Sequence, residues 1–549
     1  MRRGGRHRRR LFPQGPLIPP RDIAGLGRDG IEAELGLLEA ETWPPRHNVH
    51  KYWGKKPANV VRSYVQYFSH PGETVLDPFC GSGVTPIEAA LLGRRAVGVD
   101  FNPFAVALGR ALAAPPEPSD FKCAAAAILQ RVEPEIRALF STTCRDCGRA
   151  VAVRSFGYDR DRLLAVRYRC PCTRKSSAVP PTDADRALAA LAVEPVPGTP
   201  DADILFGWEM RKLKRHGGIR RWSDLFTPRN YRIAGAIWAE IQSFRDRPDL
   251  HAWLSLTLTA SLAQFTRMIA DSSGAGGGPS WKINSYWLPD TWQELNPLWY
   301  FENRAGKSLA GLVDLAQQPV THPADIRQGD SRSLPLPDLS VDYIFTDPPY
   351  GGEGIQYGEL STLWNLWLGA EAALEREIAF NPVRNLSAGH YAAGLDAVFA
   401  EAARVLRPER WMTVTFANKT PAVWDALMTA CRTAGFTLVT AAPMTRSAPS
   451  LTETTMRQAP KADLILSFQK TRRRAAMPRD DAYRLPERIA TIIAAMRAAG
   501  IGVTAAALFD RVTIDWFSWF YQGGNRPESV TPTLDAVERI LADRRDAAS

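Results

Sequence analysis

A chain of 549 residues is too long for one compact core and implies roughly two to four structural units. Its 45% hydrophobic and 23% charged residues are ordinary for a globular protein in water, and a membrane span of roughly 18–20 apolar residues is excluded; the best apolar run, residues 253–265, stops at Arg267. A formal net charge of +10 and a pI near 9.3 favour a polyanionic partner. The arginines at the start of the chain (Arg2, Arg3, Arg6, Arg8, Arg9, Arg10) run into prolines rather than an apolar stretch, so no signal peptide is read and a cytoplasmic location is expected.

In chain order, residues 1–44 form a basic segment whose first 20 residues, rich in Arg, Gly and Pro, are expected to be disordered. Residues 45–115 follow a strand–helix pattern: a helix around 60–68, a strand at Thr74–Asp77, a glycine turn, a helix at 85–92 and a strand at 96–100. Pro115, Pro116 and Pro118 mark a boundary. Residues 116–320 break the alternation with a helix at 124–140, a cysteine cluster at about 141–175, and Trp- and Arg-rich helices from about 228 to 270. A glycine stretch (Gly274, Gly276, Gly277, Gly278) follows. Alternation resumes over 321–471, with strands at 324–328, Val341–Thr346, 411–417, 436–441 and 462–468 and helices at 360–368, 392–405 and 422–434. The tail, 472–549, is helical and ends with Leu534–Asp546 after a Thr533 cap.

Two motifs carry chemistry. Asp77-Pro78-Phe79-Cys80-Gly81-Ser82-Gly83 lies between a strand and a helix, where glycines let backbone approach a ligand and the helix start offers free N–H groups. No Gly-Lys-Ser/Thr follows, so it is not a phosphate-binding loop of the nucleotide-hydrolysing type. The next strand ends in Asp100, where an acid can hold both hydroxyls of a ribose; dinucleotide enzymes share this arrangement.

The second motif, Thr346-Asp347-Pro348-Pro349-Tyr350, closes an apolar strand. Two prolines fix the backbone and cannot extend the strand, leaving a rigid loop at the carboxyl edge of the sheet, where open α/β sheets bind ligands. An amino nitrogen on a base is a poor nucleophile because its lone pair is delocalised into the ring. A carboxylate (Asp347) and a carbonyl (Pro348) accepting its hydrogens would return density to nitrogen, and an aromatic face (Tyr350) would hold the base.

The two motifs together resemble the amino-methylating DNA methyltransferases, and more closely the adenine-specific DNA methylases that contain a zinc ribbon. Lys51-Tyr52-Trp53-Gly54-Lys55-Lys56-Pro57, Gly329-Asp330-Ser331 and Ile355-Gln356-Tyr357-Gly358-Glu359-Leu360-Ser361 add to the resemblance, which covers about 45–112 and 320–470. It implies S-adenosylmethionine (AdoMet) as cofactor. Asp77, Phe79, Gly81, Ser82 and Gly83 would line its pocket, Asp100 would bind the ribose, Asp330 would lie near the adenine ring, and the segment holding Lys55 and Lys56 would approach the methionine carboxylate. Asp347, Pro348, Pro349 and Tyr350 would hold the target base. The sequence departs from the pattern after Tyr350, where Gly351 and Gly352 replace an expected aromatic residue; this implies a more open base clamp or one completed by Tyr357.

Cys144, Cys147, Cys170 and Cys172 stand together in a Cys-poor chain and can make a four-thiolate structural zinc site on a small hairpin built from Tyr158, Leu163, Leu164, Val166 and Tyr168. The first pair has the spacing of a zinc knuckle; the second is one residue tight and contains Pro171. Cys80 sits in the cofactor loop and reads as a packing residue rather than a nucleophile. Asn296-Pro297-Leu298-Trp299, which shows no preceding strand in the sequence, reads as a helix start. The stretch 208–221, with Lys212, Lys214, Arg215, Arg220 and Arg221, reads as a basic helix facing solvent or phosphates.

The expected fold is α/β: a doubly wound, Rossmann-like sheet of the AdoMet-dependent methyltransferase type, ending in an antiparallel hairpin. A zinc-ribbon and helical region is inserted between its second and third strands, and a C-terminal helical extension follows. The expected function is site-specific methylation of DNA at adenine N6 by base flipping, with DNA as partner, no membrane, and room for other subunits of a restriction-modification or phage-defence system. An RNA guanine-N2 methyltransferase and a non-catalytic DNA-binding subunit of such a complex stay open as alternatives.

Overall fold

The computed structural model describes residues 22–23, 25–36, 38–173, 176–205, 207–211, 213, 218–271, 285–318, 322–351, 355–371, 373–418, 420–446, 463–471, 484–498, 502–521 and 534–546. The expectations for residues 1–20, Lys212, Lys214, Arg215, Gly274, Gly276, Gly277, Gly278, Gly352 and Thr533 lie outside them.

The strands, in chain order, are β1 (Glu39–Ala40), β2 (Thr74–Asp77), β3 (Arg95–Asp100), β4 (Ser141–Thr143), β5 (Ala150–Asp159), β6 (Arg162–Arg169), β7 (Ser176–Val179), β8 (Thr291–Leu295), β9 (Asp325–Gln328), β10 (Val341–Thr346), β11 (Leu406–Phe416), β12 (Phe436–Arg446) and β13 (Asp463–Lys470). Eight of them form one sheet in the order β1-β12-β13-β11-β10-β2-β3-β9. Every neighbouring pair is parallel except those of β13, which runs antiparallel to β11 and β12. The sheet is therefore mixed and mainly parallel, compatible with a methyltransferase fold.

All six residues of β10 are buried, as expected of a parallel strand covered on both faces. Its side chains alternate from Tyr343 onward, after an irregularity between Val341 and Tyr343. Tyr343 and Phe345 join Val75 on one face, while Val341 and Ile344 join Leu76 on the other. Helices Ala58–Phe68, Val84–Leu91 and Pro103–Ala113 cover the first face, and Ala388–Val405 and Pro421–Thr433 cover the second. Phe68 lies 5.3 Å from the Tyr343 ring and 5.0 Å from Trp411, so truncating it would remove about 3–5 kcal/mol of packing.

The order of strands positions the site. β2 has β3 on one side and β10 on the other, so the cofactor motif and the catalytic motif end on adjacent parallel strands, with Leu76 opposite Ile344. That crevice at the carboxyl edge is where the connections diverge.

Some expectations change. The insertion helix runs over Pro118–Leu139, with Pro118 at its first turn; the proline cluster starts the helix, because a missing N–H costs nothing there. The hairpin of the cysteine region is larger than expected: β4 to β7 form an antiparallel sheet, and β8 joins it by pairing with β5. A strand thus does precede Asn296, contrary to the sequence reading, although Asn296 is a helix start: its Oδ1 accepts from Leu298 N at 3.1 Å and caps Pro297–Ala316. The described part of 208–221 contains no α-helix, and Arg221 is held by Asp201 at 2.7 Å and Asp203 at 2.8 Å, which neutralise it. The N-terminal segment contributes the helix Arg28–Leu35 and the edge strand β1, and Trp411 Nε1 donates to the Ile23 carbonyl at 2.7 Å. The C-terminal helices pack on one another through Ile489, Leu508, Val512 and Val537, and Trp516 joins the second face of the sheet. Among the described residues no helix is long and apolar enough to cross a membrane.

Candidate active site

The cofactor loop folds back on β3. Cys80 N donates to the Val99 carbonyl at 3.0 Å, and Gly81 N donates to Asp100 Oδ2 at 2.8 Å. The other Asp100 oxygen accepts from Asn102 N at 2.8 Å. Burial nevertheless pushes the Asp100 carboxyl up to about 6, because desolvation outweighs these amides. Asp77 accepts from Phe79 N at 3.0 Å and from Thr346 Oγ1 at 2.7 Å, and burial raises it to about 7. Gly83 caps the helix Val84–Leu91. Cys80 is 5% exposed and packs against Gly98, in keeping with a packing role.

One pocket is lined by Asp77, Phe79, Gly81, Ser82, Asp100 and Asp330, and also by Lys56, Asp347 and Pro349. The structure therefore brings the residues of both motifs to one cavity. Gly83, Pro348 and Tyr350 lie beside it without lining it. Asp330 is ion-paired to Arg332 at 2.7 Å and Arg376 at 3.0 Å, which hold its carboxyl below the usual aspartate range, mainly through the Arg332 hydrogen bonds.

The Asp347–Tyr350 loop leaves β10 and is fixed from three sides. Thr415 Oγ1 on β11 donates to Asp347 Oδ1 at 3.2 Å, Tyr391 Oη donates to the Pro349 carbonyl at 2.7 Å, and Asn418 Nδ2 donates to the Tyr350 carbonyl. The Pro348 carbonyl has no hydrogen-bond partner among the described residues. The Tyr350 ring packs 5.5 Å from Phe416. Gly351 has φ +55°, and a Cβ there would meet the Tyr391 ring at 2.7 Å. The ring of Tyr391 thus fills the space that a side chain at 351 would take.

Lys56 makes its contacts to this loop. Its ammonium lies 2.9 Å from Asp347 Oδ2 and 3.2 Å from Asp463 Oδ2, and donates to Tyr350 Oη. Burial opposes its charge, but the two aspartates more than compensate and raise its pKa above the ordinary lysine value. Burial raises Asp347 to about 6, with Lys56 pulling the other way. Lys55 points elsewhere, donating to the carbonyls of His47 at 2.7 Å and His50 at 2.6 Å. Gly54, at φ +70°, lets the backbone pass close to the loop: a Cβ there would lie 2.7 Å from Tyr357 Oη and 3.8 Å from Asp347 Oδ2.

Tyr357 lines the pocket and stacks on Tyr52, with centroids 5.7 Å apart. Sequence reasoning did not find Tyr391, Thr415, Asn418 or Asp463. They are single polar residues on the helix Ala388–Val405, on β11, just past the end of β11 and on β13 respectively, and no local pattern distinguishes them.

The four clustered cysteines converge as well. Cys144 and Cys147 follow β4 and Cys170 and Cys172 follow β6, and all four Sγ atoms lie within 4.8 Å of one another. The Cys144–Cys172 and Cys147–Cys170 separations are 3.7 and 3.6 Å. Thiolates at about 2.3 Å from a tetrahedral zinc sit about 3.8 Å apart, so the donor set fits that ion.

A family model described as DNA methylase matches residues 36–110, which hold the cofactor motif and Asp100. The curated proteins similar over short stretches include three methyltransferases or methylases. The type II methyltransferase M.MjaII of Methanocaldococcus jannaschii is 32% identical over 68 residues, 12% of this chain and 13% of that protein. The type II methyltransferase M.EcaI of Enterobacter cloacae is 42% identical over 67 residues, 11% and 15% of the two chains. The putative methylase YubD of Escherichia coli (strain K12) is 41% identical over 46 residues, 8% and 20%. The matched stretch thus spans between 13% and 20% of these relatives. Over residues 36–110 the chain is thus similar to a DNA methylase family, and over short stretches to type II methyltransferases.

Proposed function

We propose that this protein is an AdoMet-dependent DNA methyltransferase that modifies the exocyclic amino group of a base, adenine N6 ahead of cytosine N4. The observation that carries the reading is the Asp347–Tyr350 loop on β10, held rigidly beside the pocket that Asp77 and Asp100 line on β2 and β3. Bound AdoMet supplies an electrophilic methyl group on a sulfonium sulfur. Asp100 is suited to the ribose hydroxyls, and the amides of the 78–83 turn to the remaining polar groups of the cofactor.

The target base is flipped from the duplex at a cost of a few kcal/mol and stacks near Tyr350. Its amino group donates to Asp347 and to the Pro348 carbonyl, which restores density to nitrogen. Once methylated, the nitrogen would carry an excess proton, and Asp347 would be its acceptor. A carboxyl raised to about 6 is a better proton acceptor than an ordinary aspartate. Lys56 lies against Asp347 Oδ2, so the amino group would share the carboxylate with it. Cys144, Cys147, Cys170 and Cys172 are proposed to bind one structural zinc; four thiolates leave it no open position for catalysis.

Incubating the protein with labelled AdoMet and genomic DNA, then separating the hydrolysed nucleosides by mass spectrometry, tests the reading. N6-methyladenine is the expected product. N4-methylcytosine would correct the base, and label appearing in RNA as N2-methylguanine would replace the substrate.

A further inference from the structure

On the far side of the 51–56 segment from the catalytic pocket lies a second pocket, of about 690 Å³, between residues 43–55 and the helix Pro297–Ala316. Lys51, Lys55, Arg304 and Lys307 line it, and no aspartate or glutamate does among the described residues. Arg304 and Lys307, three apart, share a helix face, and neither has an ion pair or hydrogen bond among the described residues. Of the two carboxylates on that helix, Asp314 is taken by Arg46 at 2.9 Å and Glu302 does not line the pocket.

Lys55 spends two of its three donors on backbone carbonyls, and Lys51 lies 5.4 Å from the Trp53 ring. Burial, aided by Arg304, lowers Lys51 to about 8 and Lys55 to about 7. Lys55, Arg304 and Lys307 gather like charge in one recess, which costs stability, and an anion would recover it. Tyr52 and Lys55 line both this pocket and the catalytic one, so the two lie one loop apart. A base seated in the catalytic pocket leaves its strand's phosphates outside, within reach of a neighbouring cationic recess.

We infer that this recess binds a backbone phosphate of the strand whose base enters the catalytic pocket. The inference rests on the DNA methyltransferase reading and names the residues that grip the strand there. Lys51 and Lys55 form one wall, and Arg304 and Lys307 form the other. A diester fits the charge, the fixed position and the open outer side.

The test is the double variant R304Q/K307Q, whose side chains line the recess and make no ion pair or hydrogen bond among the described residues. Binding of a short random-sequence duplex is measured across a salt series, with calorimetry of AdoMet and of inorganic phosphate alongside. The variant should bind duplex about tenfold more weakly at low salt, and its slope of log affinity against log salt should fall by about 1 to 2. AdoMet affinity should be unchanged, and the melting temperature no lower than that of the wild type, since repulsion has been removed. An unchanged salt slope overturns the proposal. So does phosphate binding that the variant loses while duplex binding is retained, which would make the recess a site for the free anion. Wild-type protein that binds duplex and shows the slope difference but yields no methylated base would sink the methyltransferase reading and leave the recess standing.

Discussion

Thr346 Oγ1 donates a 2.7 Å hydrogen bond to Asp77 Oδ1, tying the last residue of β10 to the last residue of β2, 269 positions earlier. Both groups are buried, Thr346 completely and Asp77 at 4% exposure. The bond exists because β2 and β10 are parallel neighbours ending at the same edge. It makes the two halves of the site one object.

Thr346→Val keeps the shape of the side chain and removes this donor. Asp77 would then be left short of one partner in a buried place, at a cost of about 1–3 kcal/mol. Denaturant unfolding should show that loss, and AdoMet affinity should fall with it. A variant as stable as wild type would mean that the Phe79 amide and the Thr85 side chain satisfy Asp77 between them.

Asp347→Ala should reduce methyl transfer by at least about a hundredfold while leaving AdoMet binding intact, because the side chain stabilises charge that develops only during transfer. Tyr350→Ala should cost about 1–3 kcal/mol of base binding through lost stacking. Turnover of D347A near the wild-type rate on the same DNA would remove this loop from catalysis.

Asp77, Asp100 and Asp347 are raised by burial to about 7, 6 and 6. A raised acid binds more protons folded than unfolded. Its stabilising contribution is therefore full below the ordinary aspartate range and is lost as pH rises through about 6 to 7. Function runs the opposite way, since ribose hydroxyls and an amino group donate to carboxylates. From about pH 8 to about pH 5 these groups should stabilise the unliganded protein, while AdoMet affinity drops by about tenfold per unit below about pH 6. Lys56→Met should move the acidic limb of methyl transfer to higher pH, because the cation that lowers Asp347 is gone, and leave the AdoMet limb set by Asp100 in place. Calorimetry and rates across that range check both, and coincident limbs in the variant would contradict the assignment.

For the cysteine site, purified protein should contain about one zinc per chain by elemental analysis. In small ribbons the metal supplies about 10–16 kcal/mol of apparent binding energy at neutral pH. Chelation should therefore loosen the sheet β4–β7 and direct proteolysis to residues between about 141 and 180, while the buried strands of the main sheet stay protected. Far less than one zinc per chain would refute the site. The Cys170-Pro171-Cys172 pair is the element under most geometric demand.

The sequence by itself determined the elements whose physics is local. The apolar run Val341–Thr346 made β10 legible, the proline pair ended it, and the glycine turn after Asp77 marked a strand-to-helix corner. The cysteines were legible because they cluster in a Cys-poor chain. Tertiary structure decided what lies beside what. Strand order alone puts Asp77 against Thr346, the β13 reversal puts Asp463 against Lys56, and the helix Ala388–Val405 puts Tyr391 where Gly351 has no side chain. Lys56 shows the difference: its motif was visible, yet its partner depended on two aspartates from distant strands sharing one buried position with it. Partners so far apart in sequence leave no periodic trace, because burial and charge pair them only after the sheet has closed.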